Sequence, residues 1–479
     1  MIGGCTGSWH TPAVLVPMNW AGGLLFPGRF SSLMHQTHAM NRPREHARIG
    51  LLFVHDFDRV GMQAQPQVAF DHAGFDLFRF PSQLALPWFD LDRFVARQSR
   101  RGQQRQWQGV HSAHEQYGAL AAALVAEQLS LPGTSPAAIV AAQHKVHARR
   151  VLQAVAPEAN LAFEVLDAAP GSSDLKSAID RVRFPAYVKP VKAAFSILAR
   201  RVETPAELQT HMNFSRWEQR LMGWLIHPFE QVRARLLPEA DSAFRMLLEA
   251  PVDPSTPQYN LDGFVQHGEV QAIGVVDAIL YPGTQAFRRW DLPSRLSPEV
   301  QARALDIARR FLQAIGFQHG LFNLEFFHDP QTDRITVIEC NPRMAAQFSD
   351  LYRRVIGLDL HALALQLALG RDARQTPRLP PTARVASSLV YRSFPGESVP
   401  AMPDHAQQQA LSRACPDALL FCMHKRAAGV ARDYQWTGSH RYGLLHLGAQ
   451  SWHELAHRAR EASHLIGWPT DALSDKPSS

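Results

Sequence analysis

The stretch HGLFNLEFFHDPQTDRITVIECNPR, His319 to Arg343, puts chemically costly side chains where a sheet is expected. LFNLEFF and ITVIECN have the composition of strands. The polar HDPQTDR between them, with Pro330 and Asp333, predicts a turn. Side chains alternate along a strand, so Asn323 and Glu325 share one face while Phe322, Leu324 and Phe326 take the other. On the following strand Glu339 and Asn341 share a face, with Ile338 and Cys340 opposite. If the strands pair, carboxylates and amides converge over an apolar layer. The same alternation assigns Ile335 and Val337 to the acids' face, which favours a lined cleft over a wet edge. Clustered carboxylates repel unless a cation or proton intervenes. Carboxylates with an amide oxygen are the hard ligands that Mg²⁺ accepts. Arg343 follows as a fixed cation shaped for a phosphoryl or carboxylate oxygen.

At 479 residues the chain is too long for a single core, so several domains are expected. With 46% hydrophobic and 19% charged residues it reads as globular rather than disordered. A net charge of +6 is mildly basic, but the charges are scattered, with no Lys/Arg block, so no nucleic-acid partner is expected. Lysine is rare, at 145, 176, 189, 192, 425 and 476 only, so a lysine here is less often a generic surface charge. Cys5, Cys340, Cys415 and Cys422 form no CxxC pair and no zinc spacing, which predicts a reduced, cytoplasmic protein. The apolar run AVLVPMNWAGGLLF is broken by Pro17 and Gly22–Gly23, so neither a signal peptide nor a membrane span is predicted. The HxxH spacings at His35/His38 and His111/His114 are coincidences expected among 23 histidines.

Residues 1–47 read as a flexible leader rich in Gly, Pro, Ser and His. RIGLLFV (48–54), AGFDLFRFP (73–81) and QGVHSA (108–113) read as strands, and EQYGALAAALVAEQL as a helix capped by Ser112 and Glu115. This alternation predicts a small parallel α/β domain over 48–135. Ser135–Pro136 opens a single long helix carrying Lys145. FPAYVKPVKAAFSILARRV reads as two strands, 207–240 as largely helical and FRMLLEAPV as a strand. A hairpin turning at His267–Gly268 follows, then a helix from Ser297–Pro298 to Gly316. Beyond Arg343 a helical region runs to Gly370, and PRLPPT leads to a C-terminal α/β segment at 380–470.

In their order, QHK, FPAYVKP, LLEAPV and NLEFF…VIECNPR resemble the ATP-grasp superfamily over most of 48–370. The resemblance implies a mixed α/β (α+β ATP-grasp) fold. A parallel α/β domain would precede a two-part nucleotide domain at 136–375, with a lid near 185–255 and the C-terminal segment as an appended subdomain. Lys145 and Lys189 correspond to the family's phosphate-binding lysines. Glu249 and the backbone of Ala250–Val252 correspond to the linker that bonds adenine, and Gln258 or Asp262 to the ribose contact. Glu325, Glu339 and Asn341 match the Mg²⁺ (or Mn²⁺) ligands. Arg343 matches the arginine that stabilises the transferred phosphate.

This sequence also departs from the family. The phosphate loop PVKAAFS has no glycine, with Lys192 and Ser196 as replacement contacts. Met344–Ala345–Ala346–Gln347 stands where biotin carboxylases carry their bicarbonate signature. The implied chemistry is an ADP-forming carboxylate–amine ligase. ATP phosphorylates a substrate carboxylate, and an amine then displaces phosphate, with positioning and charge neutralisation supplying most of the catalysis. A bicarbonate-using carboxylase or synthetase, or a nucleotide-binding module without turnover, is the alternative. Phe287–Arg288–Arg289–Trp290 reads either as a carboxylate-binding segment or as a solvated loop. The expected partners are small-molecule acids and amines, with homodimerisation implied by the resemblance alone.

Overall fold

The computed structural model describes residues 46–76, 82–167, 184–193 and 198–470, with Ser177 and Arg181. Nearly all of the expected leader, the later part of the expected strand 73–81, and Ser196 lie outside the described residues.

The first unit is a parallel sheet of β1 (Ala47–Leu52), β2 (Val68–Ala73) and β3 (Gly109–His111), in the order β2-β1-β3. Ile49, Leu51 and Leu52 are buried, as a parallel strand covered on both faces requires. The second strand therefore ends where the sequence places its start. HDFDR opens a helix, Asp56–Gln63, whose Asp58 carboxylate accepts the His55 N–H at 2.9 Å.

Two further expectations change. The alanine-rich helix runs Gly118–Gln128, and no capping box joins Ser112 to Glu115. Ser112 Oγ accepts the His114 N–H instead, and the Glu115 side chain is drawn to Arg343. The single helix expected after Pro136 is two helices, Pro136–Gln143 and Lys145–Val155. His144 breaks them apart in an extended conformation. It caps the second helix through Nδ1, which accepts the His147 N–H at 3.1 Å, and its Nε2 lies 2.8 Å from the Asp241 carbonyl.

A four-stranded antiparallel sheet comprises β4 (Phe163–Leu166), β5 (Ala186–Pro190), β6 (Arg200–Val202) and β7 (Met246–Glu249), in the order β4-β7-β5-β6. Between β6 and β7 lie the helices Pro205–Met212 and Arg216–Leu236.

The large sheet is antiparallel and eight-stranded. Its strands are β8 (Gln258–Gln266), β9 (Glu269–Leu280), β10 (Phe287–Leu292), β11 (Gly320–Asp329), β12 (Arg334–Asn341), β13 (Val385–Ser393), β14 (Leu419–Cys422) and β15 (His440–Ala449). The order is β12-β11-β8-β9-β10-β13-β15-β14, so the C-terminal strands continue the sheet that carries Glu325 and Glu339. The β8–β9 hairpin turns at His267 (φ 53°) and Gly268 (φ 80°), the pair of positive φ values a primed turn requires. The helix Pro298–Ala314 buries Val300, Ala304, Ile307, Ala308, Phe311 and Leu312 in the same core as Phe322, Leu324 and Phe326, covering the back of β11. No helix among the described residues is long and apolar enough to cross a membrane.

Candidate functional site

β11 and β12 pair so that Glu325 stands directly opposite Glu339, and Asn323 opposite Asn341. On the other side of β11, Asp262 faces Asn323 and Asn260 faces Glu325. The result is a polar grid over three strands. Asn341 Nδ2 donates to Glu325 Oε1 at 3.1 Å, and Gln258 Nε2 to Glu325 Oε2 at 3.3 Å. The back layer forms as expected, with Cys340 opposite Leu324 and 3% exposed. Burial raises the Cys340 thiol above its ordinary range, so it is an inert core group.

One detail of the face assignment is corrected. The register shifts between Glu325 and Phe326, so Glu325 meets Glu339 but Phe326 meets Val337. Ile338 is the extra residue of a β-bulge, and the bulge reverses the alternation upstream of it. Ile335 and Val337 therefore join Phe322, Leu324 and Phe326 in the core, away from the acids.

Cations surround this acidic face. Lys145 Nζ lies 3.3 Å from Glu339 Oε2 and donates to the Ala193 carbonyl at 2.9 Å. Lys189 Nζ lies 2.8 Å from Glu249 Oε2, and Arg343 donates to Glu115 Oε2 at 2.7 Å. Burial, reinforced by the facing Glu339, holds Glu325 above the usual carboxylate range. Burial acts on Glu339 in the same sense, but Lys145 and Lys189 outweigh it and hold Glu339 low. Two facing carboxylates pushed in opposite directions titrate as one coupled pair.

The remaining expected residues spread around this centre. Lys192 is buried, donates to Gln143 Oε1 at 2.9 Å and lies 5.0 Å from the Phe229 ring centroid; burial pushes it down to about 7. Glu249 is 3% exposed, its carboxylate held by Lys189 and Arg149, and the Ala250 N–H bonds the Ala162 carbonyl at 2.9 Å. Val252 follows, half-buried. Asp262 accepts from Asn323 Nδ2 and the Tyr352 hydroxyl, each at 2.9 Å, and burial raises it to about 7. Of the two residues matched to the ribose contact, Gln258 is the one bonded to the acidic pair. Arg288 and Arg289 sit on β10 rather than in a loop, 6% and 7% exposed, and Arg289 bonds Asp291 at 3.0 Å.

Sequence reasoning missed Glu115, Gln143, Arg149 and Asn260. Arg149 had a signal, since it lies four residues after Lys145 on one helix face. Its side chain, 2% exposed, bonds Glu249 Oε1 at 2.6 Å and the carbonyls of Val337 and Ile338 at 2.7 and 3.0 Å.

An acidic pair with flanking amides on a large antiparallel sheet, faced by lysines from a smaller sheet and a preceding helix, is the arrangement of the ATP-grasp fold, and the comparisons with known proteins support that superfamily. Residues 292–376 match the model of the carbamoyl-phosphate synthase L chain, ATP binding domain. An uncharacterised protein, y4rH, of Sinorhizobium fredii is 27% identical over 310 residues, 63% of this chain and 57% of that protein. Carnosine synthase 1 of Gallus gallus is 35% identical over 109 residues, 22% of this chain and 12% of that protein. The chain thus spans little more than half of one curated relative and a small part of the other. In fold it is similar to an L-amino acid ligase from Bacillus licheniformis, with a TM-score of 0.63 at 16% identity, over 88% of this chain and 98% of that one.

Proposed function

We propose that the chain is an ATP- and magnesium-dependent ligase that activates a substrate carboxylate as an acyl phosphate and joins it to an amine, releasing ADP and phosphate. The observation that carries this reading is the register of β11 against β12. It sets Glu325 opposite Glu339, with Asn341 bonded to Glu325 and Lys145 against Glu339. The donor set fits Mg²⁺: carboxylate and amide oxygens only, which phosphate and water would complete. Glu325, Glu339 and Asn341 would hold the metal, which when bound would draw negative charge off the phosphates.

The chain's own groups do the rest. Lys145 and Lys189 leave their carboxylate partners to neutralise the nucleotide phosphates, with Lys192 contributing from the glycine-free loop. Glu249 and the backbone of Ala250 and Val252 border the adenine, and Gln258 the ribose. Arg343 holds the equatorial oxygens of the transferred phosphoryl group and then the acyl phosphate, in a site from which the lid excludes water. The carnosine synthase and L-amino acid ligase named among the similar proteins make amino acids or related small acids and amines the substrate class to screen.

Calorimetric titration of MgATP into the wild type and Glu339→Ala tests the reading. Binding that collapses in the variant supports the metal–nucleotide site, and a screen of acid–amine pairs for ADP and phosphate release then finds the substrates. Nucleotide binding that ignores both the substitution and Mg²⁺ favours a second reading, a binding module without turnover. The glycine-free loop and the turning of Lys192 onto Gln143 support that second reading.

A further inference from the structure

The helix Arg216–Leu236 contains Pro228. Proline has no N–H to give the carbonyl four residues back, and its ring pushes that turn apart, so the carbonyl of Trp224 loses its helical partner. The first α/β unit supplies partners at this break. The Tyr117 hydroxyl lies 3.3 Å from the Trp224 oxygen and 3.1 Å from the Leu225 oxygen, and Gln116 Nε2 donates to the Leu225 oxygen at 3.0 Å. Gln116 and Tyr117 are 4% and 1% exposed, so these bonds form away from competing water. Further along the same helix, Arg235 and Asp92 make a bidentate pair at 2.6 and 2.8 Å.

The preceding residue, Glu115, faces the other way. Its carboxylate holds Arg343, and its backbone carbonyl accepts from Gln143 Nε2 at 2.8 Å and lies 3.5 Å from Lys192 Nζ. Three consecutive residues thus join the lid helix to the arginine at the acidic grid. The segment 115–117 is short, and Tyr117 is wedged among Phe53, Phe75 and Phe89, so a shift at one end moves the other.

We infer that Gln116 and Tyr117 are positioning residues that clamp the lid helix at its proline break and, through Glu115, tie lid closure to the orientation of Arg343. Proline matters here because it frees an acceptor in the helix that the first unit's donors satisfy when the lid is docked. An unbroken helix would satisfy those carbonyls by itself and have no such preference for the closed position.

The test is a double-substitution cycle on the full chain with Tyr117→Phe, Pro228→Ala and both together, read by amide hydrogen exchange across residues 216–236. Tyr117→Phe keeps the ring in its aromatic cluster and removes only the hydroxyl. It should speed exchange there by about fivefold, the worth of one hydrogen bond. In the Pro228→Ala background, where the new N–H serves Trp224, the same change should have less than about a twofold effect. Equal effects in both backgrounds overturn the clamp. Gln116→Ala, which removes the donor to Leu225, should also speed exchange there, and an unchanged helix in that variant likewise counts against the clamp.

The link to Arg343 rests on the nucleotide reading and is measured separately. Tyr117→Phe should release MgATP several-fold faster while adenosine release is unchanged. Equal changes for both ligands overturn the link. A wild type that binds no MgATP overturns the nucleotide reading, and the exchange cycle still decides the clamp.

Discussion

Arg149 Nε lies 2.6 Å from Glu249 Oε1, and both side chains are almost wholly buried. The pair joins the helix after His144 to the small sheet, and the same guanidinium reaches the large sheet at Val337 and Ile338. Replacing Arg149 by Leu leaves Glu249 with Lys189 alone and removes the donors to two strand carbonyls. We expect a loss on the order of 3 kcal/mol in unfolding free energy. Arg149→Lys should not restore it, because one ammonium cannot serve a carboxylate and two carbonyls in plane. Urea midpoints of the three proteins check this. A Lys variant as stable as the wild type would show that charge alone matters.

Glu325 and Glu339 face one another across β11 and β12, and on the proposed function that register serves binding rather than stability. Glu325→Gln should therefore raise the melting temperature of the metal-free protein, by about 1 kcal/mol of relieved repulsion, while abolishing MgATP binding. Thermal melts with EDTA and with MgATP check both halves. A variant that is less stable and still binds would remove the acidic pair from the site.

Lys189 Nζ lies 2.8 Å from Glu249 Oε2, with both side chains buried. Lys189→Ala leaves Glu249 paired with Arg149, so the fold should survive and the loss should fall on phosphate recognition. MgATP affinity is expected to drop by at least about tenfold, some 1.4 kcal/mol, with adenosine affinity nearly unchanged. Parallel losses for both ligands would make Lys189 a structural residue.

His361 joins the first unit to the helix Leu360–Ala368. Its Nε2 lies 3.5 Å from Asp58, and its Nδ1 lies 3.0 Å from Ser349 Oγ and 3.6 Å from Asp359. Burial opposes its charge, but Asp359 and Asp58 outweigh it and raise the imidazole to about 9. The folded value lies above the unfolded one, so the stabilisation is complete below about pH 6.5 and is lost as pH rises through 9. A loss on the order of 3 kcal/mol between pH 6 and 10 is the upper expectation. It should be absent in His361→Asn, as urea titrations at each pH would show. Gly61 permits this approach, because a Cβ there would stand 2.1 Å from the His361 ring, so Gly61→Ala should weaken the same junction.

The parts of the site that follow strand alternation were legible in the sequence. Glu325, Asn323, Glu339 and Asn341 fall on one face because each pair is two residues apart, and the turn between the strands is short enough to force pairing. The bulge at Ile338 was not legible, since one extra residue changes no composition, and it sent Ile335 and Val337 to the opposite face. Glu115 read as a helix cap because local spacing matched a capping box. Its true partner, Arg343, lies 228 residues away, and no local rule reaches that far. The break at His144 escaped for a related reason, since a histidine flanked by good helix formers gives no stop signal, and the Asp241 carbonyl that holds its ring comes from a distant loop.

β12 is the end strand of the large sheet, and the carbonyls of Val337 and Ile338 lie along its open margin. An uncovered margin is a template on which a second molecule can add a strand. Arg149 occupies two of these acceptors, and Arg334 reaches the backbone of Glu158 and Asn160 beside them. The bulge adds a twist that a straight incoming strand cannot follow. The residue that braces the acidic pair's strand from its outer margin is thus also expected to keep a second molecule off that margin. Losing it should therefore show as turbidity in concentrated solution, beside the fall in stability expected of the Leu variant.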